Sequence, residues 1–299
     1  MGRDAEMFVL ERGDPGAPGV LFLHGAGASG VMWRYHLDRL AGRFHCMVPD
    51  LPGFGRSNGL PFVSRAVTAE LVAELIAARV PAGRAHVVGL SWGGGVAHEL
   101  LGRHPDVVDR AVIDGAGVLT SRSGSLVLAG IAAVSPVLHT RPVIGLFSRM
   151  IGMDQEDRAD LRVASPGAFR RAFVEGFRSG VSRVESRALS PTLLVAGEQE
   201  SVVRPANAAL AVLMPHAEAR YVPSMAHGWL ARRRDLHVAM VEAWLTGGEL
   251  PDELVPEVVS QAALARLRRE LGGDAADAWP EADSRQAGTS RAGGVGVSA

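Results

Sequence analysis

Short runs rich in Val, Leu and Ile recur along this chain at helix-length intervals, and that alternation narrows the folds open to it more than any other feature. Strands are predicted at residues 7–11, 20–24, 45–49, 85–90, 108–114, 192–197 and 219–222. Helical periodicity fills the intervals at 33–40, 68–79, 94–104, 205–213 and 234–245. Runs this continuously apolar need cover on both faces, which predicts a mostly parallel sheet between two helical layers. One interval breaks the rhythm. Nearly eighty residues separate Asp114 from Thr192, where a single crossover helix suffices, so an inserted cap is expected there. Beyond Trp244 the composition shifts: QAALARLRREL at 261–271 suits one amphipathic helix, and from Gly272 onward Gly, Ala, Ser and Asp dominate without period. A disordered tail is expected after 272.

The fourth strand ends in AHVVGLSWGG, residues 85–94, where Ser91 is boxed by Gly89, Gly93 and Gly94. A buried strand that turns at once into a helix, with glycines two before and two after a serine, makes a sharp elbow with that serine at its tip. The hydroxyl then stands at the C-terminal edge of the sheet, beside the unpaired N–H groups and positive dipole end of the next helix. A serine at its ordinary pKa is a poor nucleophile and needs a base. His227 meets that need: it follows the last predicted strand in YVPSMAHGWL, on a loop with Gly228 beside it. Of the other histidines, His24 shapes the turn HGAG, and His98 and His104 fall on the helix after Ser91. The HGAG stretch, His24, Gly25, Ala26 and Gly27, closes the second strand, so the N–H of Ala26 and the N–H of Trp92 are the expected oxyanion donors.

Composition removes other chemistries. With 31 Lys+Arg against 32 Asp+Glu the net charge is −1, which argues for neither nucleic acid nor an anionic membrane as partner. Every basic residue is arginine, which excludes a Schiff-base lysine and a P-loop lysine. A single cysteine, Cys46, forbids an internal disulfide and a cysteine-built metal site, and its setting HCMV reads as a packed thiol. No His/Asp/Glu cluster has ligand spacing, and neither metal nor organic cofactor is expected. The opening MGRDAEMFVLERG has no apolar export region, and the apolar stretch at 125–140 is too short to span a bilayer. A cytoplasmic protein without a membrane span is expected. Oligomeric state is not readable.

Taken together, HGAG with Trp33 downstream, PDLPGFGRS at 49–57, GLSWGG at 89–94, SPTLLVAGEQE at 190–200 and AHG at 226–228 resemble the α/β-hydrolase family over residues 7–246. The resemblance implies an eight-stranded, mostly parallel sheet flanked by helices, with a helical cap between strands six and seven. It divides the chain into a core of 1–116 and 189–250, a cap of 117–188 and an extension of 251–299. It also implies a Ser-His-acid triad of Ser91, His227 and a carboxylate. Family members usually carry Asp three residues after the glycine that ends the strand following the cap, and here that position is Glu200. Asp114, at the strand end before the cap, is the alternative acid, and Glu198 is a third choice. A serine at position 91 separates the chain from haloalkane dehalogenases and epoxide hydrolases, whose nucleophile is a carboxylate. The cap also lacks tyrosine, since Tyr35 and Tyr221 are the only two in the chain. The expected activity is hydrolysis of small carboxylic esters through an acyl-enzyme. Cofactor-free perhydrolysis, carbon–carbon bond hydrolysis or a lyase reaction by the same triad stays open, as does a non-catalytic module that binds a small molecule. Arg158, Arg162, Arg170, Arg171, Arg178, Arg183 and Arg187 crowd the second half of the cap, as a solvated face or as partners of a carboxylate-bearing substrate.

Overall fold

The computed structural model describes residues 6–116, 166–178 and 189–258. Most of the expected cap, the helix expected at 261–271 and the tail expected after 272 lie outside the described residues.

Eight strands form one sheet in the order β1-β3-β2-β4-β5-β6-β7-β8. They are β1 (Val9–Arg12), β2 (Gly19–Leu23), β3 (His45–Pro49), β4 (Ala85–Leu90), β5 (Val108–Asp114), β6 (Thr192–Gly197), β7 (Ala217–Val222) and β8 (Val255–Pro256). Strands β2 to β7 run parallel, while β1 and β8 pair antiparallel at the two edges. The sequence named seven of these. The eighth is a two-residue edge piece after the last helix, too short to carry a pattern. In this chain-order numbering the long interval after Asp114 falls between β5 and β6.

Side-chain alternation sorts each central strand between two cores. Leu21 and Leu23 of β2, Val87 of β4 and Ile113 of β5 pack with α2 (Arg65–Arg79), α3 (Trp92–Arg103), α4 (Pro166–Arg178) and α5 (Val203–Leu213). Val20, Phe22, Val88 and Val112 pack on the other face with α1 (Arg34–Leu40) and α6 (Arg234–Thr246), together with the buried Trp33 and Trp229. Because Asp114 shares the parity of Val112, its side chain enters the α6 layer. Cys46 is buried in that layer as well, and burial pushes its thiol up to about 12. Among the described residues no helix is long and apolar enough to cross a membrane.

Helix starts differ from the sequence reading for local reasons. α2 begins at Arg65, three residues ahead of the expected start, because the N-cap Ser64 hydroxyl accepts the Val67 amide at 3.2 Å. α3 begins at Trp92 and runs through Gly93 and Gly94, and His104 is its C-cap rather than a helical residue. The glycine pair suggests a turn by propensity, but packing overrides it: a Cβ at Gly93 would lie 2.2 Å from the Leu23 carbonyl oxygen. Gly93→Ala is therefore expected to destabilise the fold by about 2–4 kcal/mol, while Gly42→Ala, where a Cβ meets nothing within 4 Å, stays within about 0.5 kcal/mol. Urea unfolding of the two variants beside the parent checks this, and equal midpoints would refute the close approach.

Candidate active site

Five loops meet at the C-terminal ends of β2, β4, β5, β6 and β7. Ser91 stands between β4 and α3 with φ 53 and ψ −110, a backbone conformation that a side chain seldom adopts. Its amide donates to the Asp114 carbonyl at 2.8 Å, and its own carbonyl accepts the Gly95 amide at 3.0 Å, so both sides of the strained residue are held. The next residue, Trp92, is the first of α3, where a backbone N–H has no intrahelical acceptor. Its indole is buried at 6% exposure, 5.3 Å from the Phe62 ring, which leaves the amide as what Trp92 offers the site.

The HGAG loop lies beside Ser91: a Cβ on Gly25 would fall 3.5 Å from the Ser91 Cβ. The turn is closed by the Ala28 amide on the Gly25 carbonyl at 3.2 Å, with Gly27 at φ +82. His24 is fully buried and does not face the reaction side. Its Nδ1–H donates to the Gly25 carbonyl at 2.9 Å, and its Nε2 accepts the Leu51 amide at 2.9 Å. Burial lowers its pKa against the pull of that carbonyl and of Asp50, which suits the neutral tautomer that this pairing needs. Asp50, which the sequence reading passed over inside PDLPGFGRS, braces the same loops by accepting the Gly30 amide at 2.6 Å and the Arg56 amide at 2.8 Å. Its signal was available: an aspartate at a strand end followed by two glycines is a turn-bracing pattern.

The three carboxylates weighed from sequence separate in space. Glu200, buried at 8% exposure, holds Oε2 at 2.8 Å from His227 Nδ1, while its Oε1 accepts the Gly197 amide at 2.8 Å. Glu198 accepts the Ser224 amide at 2.7 Å and so anchors the loop that carries His227. Asp114 accepts the Trp229 indole N–H at 3.0 Å and does not bond His227. The carboxylate in contact with the histidine is thus Glu200, whereas Asp114 faces the α6 layer because of its strand parity.

Gly115 makes room for that pair. At φ +61, a Cβ there would stand 2.7 Å from His227 Cε1, 2.8 Å from its Nδ1 and 3.4 Å from Glu200 Oε2. Since the residue before it holds the Ser91 amide, the serine and the histidine flank one point at the end of β5. The His227 side chain is half exposed, at 49%. Burial by itself pulls its pKa down, but the hydrogen bond and charge of Glu200, with the charge of Asp114, leave it above the ordinary 6.5. A histidine raised in this way adds stability below its unfolded pKa and loses that stability as pH rises through the folded value. Among the described residues no group of three or more His, Cys, Asp or Glu is arranged to hold a metal ion.

Residues 18–189 match the family described as alpha/beta hydrolase fold. An AB hydrolase superfamily protein of Gibberella zeae is 28% identical over 260 residues, which cover 81% of this chain and 86% of that protein. Over 91 residues the chain is 43% identical to a pimeloyl-[acyl-carrier protein] methyl ester esterase of Chromobacterium violaceum, a stretch covering 30% of this chain and 34% of that enzyme. Among solved structures, a hydrolase from Pseudomonas aeruginosa PA01 superposes with a TM-score of 0.68 at 20% identity, covering 82% of this chain and 99% of that one.

Two outcomes follow from the geometry. Histidine NMR titration is expected to find His227 above 6.5 in the parent and at a lower value in Glu200→Gln; equal values would mean that the carboxylate does not act on the ring. Gly115→Ala is expected to lower turnover by about 10²-fold by displacing the imidazole, read from kcat of the folded variant, and to lower Tm as well because its φ is +61.

Proposed function

Because the chain belongs to the alpha/beta hydrolase fold family, we propose that it hydrolyses carboxylic esters of small molecules through an acyl-enzyme, with Ser91 as nucleophile, His227 as base and Glu200 as acid. The reading rests above all on the 2.8 Å contact between Glu200 and His227 Nδ1. That hydrogen bond fixes the Nδ1–H tautomer and leaves Nε2 with a lone pair to take a proton.

In this mechanism Ser91 Oγ attacks the ester carbonyl as its proton passes to His227 Nε2. The developing oxyanion is met by the N–H groups of Ala26 and Trp92, both backbone donors held before substrate arrives. Collapse of the tetrahedral intermediate breaks the bond to the alcohol, which leaves with the proton from His227. Water then gives its proton to the same histidine and attacks the acyl-enzyme, and breakdown of the second intermediate releases the acid and restores Ser91. His227 has to be neutral at the start, so turnover rises with pH through its folded pKa, which lies above 6.5.

Further support comes from the Chromobacterium violaceum relative, a methyl ester esterase. Residues 117–188 act as the cap in this reading. Their described part, α4, is joined to the core by Glu175, which accepts the Arg65 amide at 2.7 Å, and by Ala168, buried beside Gly53.

Ser91→Ala and His227→Ala are each expected to lower hydrolysis of p-nitrophenyl esters by about 10⁴–10⁶-fold, and the double variant to be little worse than either, since triad members act as a unit. A fluorophosphonate should label Ser91, read by peptide mass mapping, and a chain-length series of esters measures acyl preference. Turnover surviving in purified Ser91→Ala would rule the serine mechanism out.

A further inference from the structure

Asp114 closes β5 directly behind the site, and the mechanism above leaves its carboxylate without a role. It is 1% exposed. Its carbonyl accepts the Ser91 amide at 2.8 Å, and its Oδ1 accepts the indole N–H of Trp229 at 3.0 Å. Trp229 stands two residues beyond His227, opens the 3-10 turn Trp229–Ala231 and is 1% exposed. The residue after Asp114, Gly115, lies against the imidazole itself. One buried residue therefore grips the main chain of the nucleophile on one side and the loop of the base on the other. Its second oxygen, Oδ2, lies 3.5 Å from Nε2 of His237 on α6, and His237 Nδ1 is 2.8 Å from Nε2 of His36 on α1. Among the described residues, that 3.5 Å ion-pair contact is what Asp114 Oδ2 and His237 Nε2 have, and neither makes a shorter hydrogen bond. A carboxylate so enclosed costs stability that an apolar residue of similar size would not, which argues for a use beyond packing.

We propose that Asp114 is a positioning residue for catalysis: through Trp229 it sets the height of the His227 loop against Ser91, and its negative charge supports the protonated imidazole alongside Glu200. The inference rests on the Ser91, His227 and Glu200 mechanism given above. The charged and titratable groups facing Asp114 are His237 from α6 and His227 and Glu200 from the two loops, with His36 of α1 behind His237. Burial raises the Asp114 pKa and Glu200 adds to that, while His237 and His227 oppose it. In turn the Asp114 charge acts upward on His227.

Asp114→Asn and Trp229→Phe divide the two actions, because asparagine keeps an oxygen for the indole N–H but has no charge, whereas phenylalanine removes the N–H and leaves the charge. The pH dependence of kcat/KM is measured with p-nitrophenyl esters, beside Tm. For Asp114→Asn the acid limb is expected to move about half a unit to lower pH, with kcat down roughly tenfold and KM within about two-fold. For Trp229→Phe, kcat falls by a similar factor while the limb stays in place. An unmoved limb in Asp114→Asn with kcat within about two-fold of the parent overturns the proposal. It is equally overturned if Asp114→Asn loses about 10³-fold while Glu200→Gln stays within a few-fold, since Asp114 would then be the acid itself. If Asp114→Asn folds too poorly for kinetics, Trp229→Phe decides, and an undiminished kcat there refutes the positioning role. Failure of the underlying mechanism is seen separately, as turnover that survives in Ser91→Ala.

Discussion

The site depends on how closely the N-terminus of α3 is pressed against the ends of β2 and β4. A Cβ at Gly89 would come within 2.5 Å of the Gly93 carbonyl oxygen, and one at Gly93 within 2.2 Å of that of Leu23. At this distance the chain has no room for an ordinary loop between strand and helix, and the residue at the corner is forced to φ 53. Such a conformation costs of order 1–3 kcal/mol and persists only where its surroundings over-determine it. Here two backbone hydrogen bonds and a buried helix supply that constraint. A serine so placed stands at the corner itself, directly before the first amide of α3.

Around that corner the polar groups are satisfied by main chain more than by one another. His24 and Asp50 together take or give four backbone or near-backbone bonds across the β2 and β3 loops. Glu198 and Glu200 each accept an amide from the loops after β6 and β7. Donors and acceptors locked in this way need little rearrangement when charge develops, which is the condition for electrostatic catalysis to be effective.

The central strands were legible because they are buried on both faces, so their apolar runs end where the burial ends: 45–49, 85–90, 108–114 and 192–197 are found at the residues expected. Helix starts were less legible, since caps and close approach govern them and propensity does not. The family was recognisable from five short motifs, each of which is, or runs into, a connection at one edge of the sheet. Sequence brought Ser91, His227 and three carboxylates to that edge, yet it could not rank the carboxylates by contact, because all three sit at strand ends. What separates them is pleat direction and loop register. Asp114 points with Val112 toward α6, whereas Glu200 folds back over Gly197 toward His227. The link from Asp114 to Trp229 spans 115 positions and carries no local signature.

The two ends of the sheet bear on how copies of this chain meet in concentrated solution. An exposed strand edge is a row of open hydrogen-bonding groups that invites a second chain to continue the ladder. At one end stands β1, four residues whose Glu11 and Arg12 are engaged with Arg79, His45 and Asp38. At the other stands β8, two residues long, the second a proline without an N–H to donate. Reversing the direction of both outer strands and keeping them short, charged or proline-tipped leaves a long apolar parallel sheet with poor templates at its described borders, which disfavours strand addition where a sheet of this size would otherwise be most adhesive.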